Sequence, residues 1–301
     1  MKKVLSIFAV LFILIACSKD KSKGESNTIN AQQISGIEEK IKSEDNLIQI
    51  QGLTELNEFA KSNFESLFSD IQSKDEDVRS NAIYNLGNLI HYMKSMRNKL
   101  WSLENVSTNE EVVQKAKEVS TFLGTSISTS FVYIFEARTD DYWRVRYYAI
   151  VDMSNNPEYG RHYVKEFIEE SMNDDEERVR TVTVYLLGKI VPELKQSLKY
   201  YTDLLNTDAT IEAKKEWFKE YEKIEDEIEI IVAQIINALL DDDKVMVRKG
   251  AANALGRLGK DAAEALQSLK DVMYDEEEDK EVREEATDAY FKIKTDIAKE
   301  E

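Results

Sequence analysis

The pattern Val-Arg-x-x-Ala-x-x-x-Leu-Gly-x-Leu recurs along the 301-residue chain at spacings that share one period. It is complete at Val247-Arg248, with Ala251, Leu255, Gly256 and Leu258, and at Val78-Arg79, with Ala82, Leu86, Gly87 and Leu89. At Val179-Arg180, with Leu187, Gly188 and Ile190, only the alanine is changed, to Thr183. Val145-Arg146, with Ala149 and Met153, and Val282-Arg283, with Ala286, Tyr290 and Ile293, are degraded copies. Successive motif arginines (Arg79, Arg146, Arg180, Arg248, Arg283) stand 67, 34, 68 and 35 residues apart, one period of about 34 with two double steps. A fixed period in this range predicts stacked supersecondary units, a solenoid in which each unit completes its neighbour's core.

The positions within the motif have separate physical reasons. Val at position 0, Ala at +4, Leu at +8 and Leu or Ile at +11 fall on one side of a helix, an apolar stripe that a single unit cannot bury alone. A glycine inside a helix costs about 0.5–1 kcal/mol relative to alanine, so its return at Gly87, Gly188 and Gly256 predicts a spot where a neighbouring helix leaves no room for a Cβ. An aspartate precedes each motif valine by three or four residues: Asp75, Asp141, Asp175, Asp243 and Asp279. These are placed to cap the second helix of each unit and to complement its dipole. The arginine borders the buried stripe, where a guanidinium needs a carboxylate partner, and the turn aspartates of the same or the adjacent unit are the nearest supply.

With these residues the chain resembles the HEAT-repeat family, in particular its short lyase-type units, over roughly residues 40–301. The resemblance implies two antiparallel helices per repeat, a ladder of Asp and Arg along the stack, and a scaffold role. Tetratricopeptide repeats share the period, but their Trp-x-x-Leu-Gly-x-x-Tyr opening is missing and the chain has only two prolines, Pro157 and Pro192. The expected fold is therefore all-α, an α-solenoid or superhelix of about seven or eight HEAT-like repeats over residues 36–301. Two worn units fill the double steps: one at Val112 and Ala116, where Val113 replaces the arginine, and one within Tyr200–Leu240, where Glu212–Leu239 reads as one long charged helix. Residues 36–60 read as a divergent capping repeat with Ile48, Gly52 and Leu56, followed by a first helix carrying Phe64, Leu67, Phe68 and Ile71.

The chain opens with Met1-Lys2-Lys3 and an apolar run from Val4 to Ala16 interrupted by Ser6, too short to span a bilayer as a helix and suited to a secretory signal. Leu14-Ile15-Ala16-Cys17 resembles the lipobox of bacterial lipoproteins. That resemblance implies cleavage before Cys17, with a diacylglycerol on its sulfur and usually a third acyl chain on its new amino group, an anchor strong enough to hold where one chain would not. Residues 1–16 are then the signal peptide and residues 17–35 the lipidated cysteine with a polar tether. Sixteen residues of such composition span about 20–24 Å on average. Ser18, in place of Asp after the cysteine, implies the outer over the inner membrane by the Gram-negative sorting rule. Cys17 is the only cysteine, so the exported domain has no disulfide and depends on helix packing. Loss of Lys2 and Lys3 takes the net charge from −18 to −20, which argues against nucleic acid as a partner and against a body lying flat on anionic lipid.

The sequence offers little for catalysis. His91 and His162 come without a second histidine or a cysteine in a ligand pair, and Asp241-Asp242-Asp243 and Asp275-Glu276-Glu277-Glu278-Asp279 lack the glycine and spacing of a calcium loop. No phosphate loop or nucleophile elbow is present, so neither enzyme activity nor a metal or cofactor is expected. Positions +2, +3 and +6 of the motif helices lie opposite the stripe, on the surface a solenoid curves around. They are polar in the first copy apart from Tyr84, aromatic or aliphatic in the middle at Tyr147, Tyr148, Val151, Val182 and Tyr185, and polar again at Lys249, Asn253, Glu284 and Asp288. Tyr84, Tyr147, Tyr148, Val151 and Tyr185 are thus the candidate anchors for a protein or peptide partner, with Tyr142 and Trp143 adjoining. The same tyrosines packed between repeats is an equal alternative. Two other functions remain open: a lyase-like or enzyme-accessory protein gripping a small aromatic or tetrapyrrole ligand, and a structural envelope protein with no specific partner.

Overall fold

The computed structural model describes residues 31–299, and the leader, Cys17 and the first part of the tether lie outside them. The described residues form α-helices with two short 3-10 turns and no strand. Helix α1 spans Ala31–Ile41, α2 Asn46–Ile71, α3 Glu76–Val106, α4 Glu110–Ala137, α5 Trp143–Asn155, α6 Pro157–Gly160, α7 Val164–Glu169, α8 Glu177–Leu205, α9 Ile211–Asp241, α10 Val245–Leu258, α11 Leu266–Tyr274 and α12 Lys280–Ala298. The fold is an all-α solenoid. No helix among the described residues is long and apolar enough to cross a membrane.

Local sequence starts several of these helices where polar side chains take up free amides. Asp45 accepts from the Leu47 amide at 2.8 Å, Asp75 from Asp77 at 2.9 Å, Asn109 from Val112 at 3.0 Å and Asp279 from Glu281 at 2.8 Å. Pro157 opens α6, where its missing N–H has no bond to lose. Helix α1 begins at Ala31, inside the stretch read as tether, so residues 31–35 are helical. Helix α2 joins the expected capping segment and the expected first helix into a single helix of 26 residues.

The motif helices α3, α5, α8, α10 and α12 pack in succession, while α2, α4 and the short α6 and α7 form the companion layer on the N-terminal side. Aromatic rings stitch that layer together. Phe68 of α2 stacks on Tyr133 of α4 with centroids 4.5 Å apart, and Phe131 and Phe135 of α4 stack on Tyr159 and Tyr163 at 3.8 and 3.7 Å. Worn repeats do not fill the double steps. Between Arg79 and Arg146 the chain runs down α3, 31 residues long, and back up α4, 28 residues long. Between Arg180 and Arg248 it does the same through α8 and α9, of 29 and 31 residues. Val112 and Ala116 belong to the companion helix α4, and α3 packs directly on α5. The described two-helix units are accordingly fewer than the seven or eight the period predicts, because a doubled helix length imitates a doubled repeat count.

The stripe is buried as its spacing requires: Val145, Val179, Val247 and Val282 at position 0, and Ala82, Ala149, Thr183, Ala251 and Ala286 at +4. The Thr183 hydroxyl is satisfied by donating to the Val179 carbonyl at 2.8 Å. Val78 departs from the pattern and is exposed, since no earlier motif helix among the described residues covers the start of α3. The three motif glycines also follow one rule. A Cβ on Gly188 would sit 3.3 Å from Ala254 Cβ, and one on Gly256 would sit 3.0 Å from both Cα and Cβ of Ala289. One on Gly87 would overlap the carboxylate of Asp152. Position +9 of α3, α8 and α10 thus receives position +7 of the next motif helix.

Candidate protein-binding site along the motif helices

Four of the motif arginines, Arg79, Arg146, Arg180 and Arg248, span their own turn and the turn of the next unit. Arg79 Nε and Nη2 donate to the two oxygens of Asp140 at 2.7 and 2.8 Å, and Nη2 also reaches Asp141 at 2.7 Å. Arg146 repeats this on Asp174 at 2.6 and 2.8 Å and Asp175 at 2.6 Å, and Arg180 on Asp242 at 2.8 and 2.9 Å and Asp243 at 3.0 Å. Arg248 grips Glu278 with two bonds of 2.7 Å. The remaining nitrogen, Nη1, donates to a carbonyl of the arginine's own turn: Ser73 for Arg79, Asp140 for Arg146, Asp174 for Arg180 and Asp242 for Arg248. Arg283, in the last motif helix, has Nη1 on the Glu278 carbonyl at 2.6 Å. Carboxylates therefore come from the adjacent unit and a carbonyl from the same unit.

This geometry keeps Asp141, Asp175 and Asp243 in the ladder and adds a second acid to each of those rungs. The forked partner is Asp140, Asp174, Asp242 or Glu278, not Asp141, Asp175, Asp243 or Asp279. The first three of these inner carboxylates also accept an amide two residues on, from Tyr142, Glu176 and Lys244, each at 2.9 Å. The outer aspartate faces solvent and accepts from Nη2, Asp243 pairing also with Lys244 at 2.9 Å, and Asp141, Asp175 and Asp243 do not cap their helices. Asp75 and Asp279 do cap theirs. Burial works against the charge of Asp140 and Asp174, but the forked arginine and the turn amide outweigh it and hold both carboxyls below their usual range. For Glu278 the Arg248 bonds are the largest influence and act in the same direction. An acidic doublet marks every rung that receives an arginine. The first turn, Lys74-Asp75, lacks the inner carboxylate, and no motif arginine precedes it.

The ladder fixes the rotation of α3, α5 and α8, and with it the aromatic residues on their +2, +3 and +6 positions. Tyr84 of α3 meets Tyr148 of α5 at 5.3 Å between centroids, Tyr148 meets Tyr147 at 5.4 Å, and Tyr147 meets Trp143 at 6.4 Å. The guanidinium of Arg178, at the start of α8, lies 4.9 Å over the Trp143 ring, and that of Arg144 lies 5.5 Å from it. Tyr142 turns back to α3, its hydroxyl donating to Asp77 at 3.4 Å. The structure thus brings Tyr84, Tyr147, Tyr148 and Trp143 into one run of rings across two units. Tyr84 is 37% exposed, and Tyr147, Tyr148 and Val151 are half-buried, so the run both packs between units and opens to solvent. Tyr185 is engaged elsewhere: it lies against Gly250 of α10, with Arg257 5.8 Å over its ring, and burial pushes its phenol up. Arg144 and Arg178 both stand one residue before their motif valine, a position held by Asp77, Met246 and Glu281 in the other copies, so the shared motif does not mark them.

His91 is exposed in the middle of α3, and His162 is exposed in the turn between α6 and α7. Two surface cavities of about 610 and 540 Å³ are lined by residues of α1, α2 and α4, among them Ile50, Glu110 and Lys115 in one and Ile37, Glu55 and Phe59 in the other. Neither includes Tyr147 or Trp143.

A family model of HEAT repeats matches residues 229–290, which cover the end of α9, α10, α11 and most of α12. No curated protein matches the sequence. Among solved structures, the chain is similar to one from the study of Kap95p binding, which induces the switch loops of RanGDP to adopt the GTP-bound conformation. That match has 16% identity and a TM-score of 0.38, over 91% of this chain and 36% of the other. It is also similar to a chain of the karyopherin Kap121p structure with the extreme C-terminus of the protein phosphatase Cdc14p, at 16% identity and a TM-score of 0.29, over 89% of this chain and 30% of the other. The chain spans about a third of the length of these two solved chains.

Proposed function

We propose that this protein is a lipid-anchored scaffold of the bacterial cell envelope that holds a protein or peptide partner on its motif helices and performs no catalysis of its own. The observation that carries the reading is the run of rings from Tyr84 through Tyr148 and Tyr147 to Trp143, held in register by the arginine ladder and partly open to solvent. Rigid aromatic side chains with one polar edge supply contact area at low entropic cost and are typical anchors of protein interfaces. The HEAT-repeat match at residues 229–290 supports a scaffold of this kind, Leu14-Ile15-Ala16-Cys17 supports the lipid anchor, and Ser18 supports the outer membrane.

Replacing Tyr84, Tyr148 and Tyr185 together with Ala is expected to abolish capture of the partner from envelope extract while the helical signal in circular dichroism stays at its wild-type level. Tyr185→Ala alone should act weakly, because that ring is covered by α10. Capture that survives the triple substitution overturns the site, and palmitate labelling that survives Cys17→Ser overturns the anchor.

A further inference from the structure

The distal halves of α8 and α9 leave the stack. Leu194 is the last buried residue of α8 and Ile231 the first of α9, and no residue between them is buried. The neighbours end sooner: α5 and α10 have 13 and 14 residues against 29 and 31 for this pair. The outermost ties are Arg161 Nη1 to Ser197 Oγ at 2.9 Å and the ion pair of Lys195 with Asp261. Beyond them two helices continue alone, although they carry Leu198, Tyr201, Leu205, Trp217, Tyr221 and Ile224, all only half-buried. An isolated helix pair covers its apolar seam from one side only, so these residues retain a wet face.

One exposed side of α9 tells what covers it. Ile211, 70% exposed, and Phe218, 50% exposed, are seven residues apart and therefore on the same side of the helix. The same side carries Lys215 and Lys219, then Glu222, Glu225 and Glu229, all exposed. The face is basic and apolar towards its N-terminal end and acidic towards the base. A partner with the same charge order, laid antiparallel, puts each basic half on an acidic half; laid parallel, it sets like on like. An antiparallel pair of α9 helices crossing beside Glu222 places Lys219 opposite Glu225 and Lys215 opposite Glu229, since these flank Glu222 by three and by seven residues on either side, and leaves only Glu222 facing its own copy at the crossing. That is the self-complementary arrangement of a two-fold interface.

We infer that the α8–α9 hairpin docks antiparallel on the hairpin of a second copy of this chain, forming a four-helix interface outside the stack. The inference stands apart from the tyrosine run, which lies on other helices. The full chain in detergent micelles should sediment as a concentration-dependent dimer that weakens with added salt. Lys215→Glu with Lys219→Glu makes the face acidic throughout, and Glu225→Lys with Glu229→Lys makes it basic throughout. Either pair of changes should raise the dimer dissociation constant about tenfold or more, as loss of charge complementarity does at interfaces. The chain carrying all four changes reverses the charge order and should recover the wild-type constant, with circular dichroism confirming helicity in each variant. A monomer at all concentrations overturns the inference, and so does a dimer indifferent to both swaps. A chain that stays monomeric while its hairpin binds anionic vesicles also overturns it, in favour of a membrane contact.

Discussion

Asp152 stands where the later motif helices carry Ala254 and Ala289, pressed into the notch left by Gly87, and it is 7% exposed. Its Oδ2 has no hydrogen-bond partner, and burial pushes its carboxyl well above the usual carboxylate range. The folded state therefore holds a proton that the unfolded chain gives up near its ordinary pKa. Whatever stability this group contributes is complete below that value and is lost as pH rises towards the elevated folded pKa. Asp152→Asn, which keeps the shape without the charge, should gain stability over the wild type in urea unfolding at pH 8 but little or nothing at pH 4; an equal gain at both would mean that the carboxyl is not titrating. A Cβ at Gly87 meets this same carboxyl, so Gly87→Ala should cost far less in an Asp152→Ala background than alone, a coupling of about 1–3 kcal/mol between residues in contact. The ladder shows how far single residues were readable. The arginines and the acidic turn followed from charge burial, whereas the choice between the two acids of each doublet depends on which one reaches the first free amide, and position in the sequence ranks both equally.

Between elements, the close approach of motif helices is set by small residues. At Gly256 an added methyl would meet the backbone of Ala289 at 3.0 Å, and backbone does not give way as a side-chain tip does. Gly256→Ala should therefore lower stability by about 1–3 kcal/mol, the usual range for overpacking, although alanine is the better helix former by about 1 kcal/mol. Gly36, in α1 with nothing within 4 Å of its Cβ position, is the control and should gain when changed to Ala. Urea midpoints moving the same way in both variants would contradict the notch. The glycine positions were legible because a costly residue returned at one register. Helix lengths were not: α3 runs on without Gly or Pro to stop it after the stripe, α8 runs on through Pro192, and an amphipathic pattern does not say whether the next period belongs to the same helix or to a new repeat. The covering of Tyr185 by Gly250 was hidden for a related reason, since it depends on the side chain missing from the neighbouring helix.

At the scale of the molecule, each motif helix is joined to the next by one guanidinium, and three of the four junctions also by a glycine notch, so stability is expected to add junction by junction, without a single global core. Arg180 makes the junction between α8 and α10, with its two bonds to Asp242, one to Asp243 and one back to the Asp174 carbonyl, and its side chain and that of Asp242 are each 11% exposed. Lysine there presents one ammonium for a forked site, so Arg180→Lys should lose at least one charge-assisted bond, about 1.5–3 kcal/mol, and lower the melting temperature by several degrees. Arg180→Ala leaves Asp242 without its fork at a mostly buried position and should cost about 3–5 kcal/mol. The distribution of that loss distinguishes a solenoid from a globule. In a solenoid, native-state hydrogen exchange should show protection falling in the first turns of α8 and α10, while amides of α3 and α4, two junctions away and held by the Arg79–Asp140 pair, keep their wild-type rates. Equal loss of protection across α3, α8 and α12 would show that the described helices unfold as one body, and the stack could not then act as a row of separately held units.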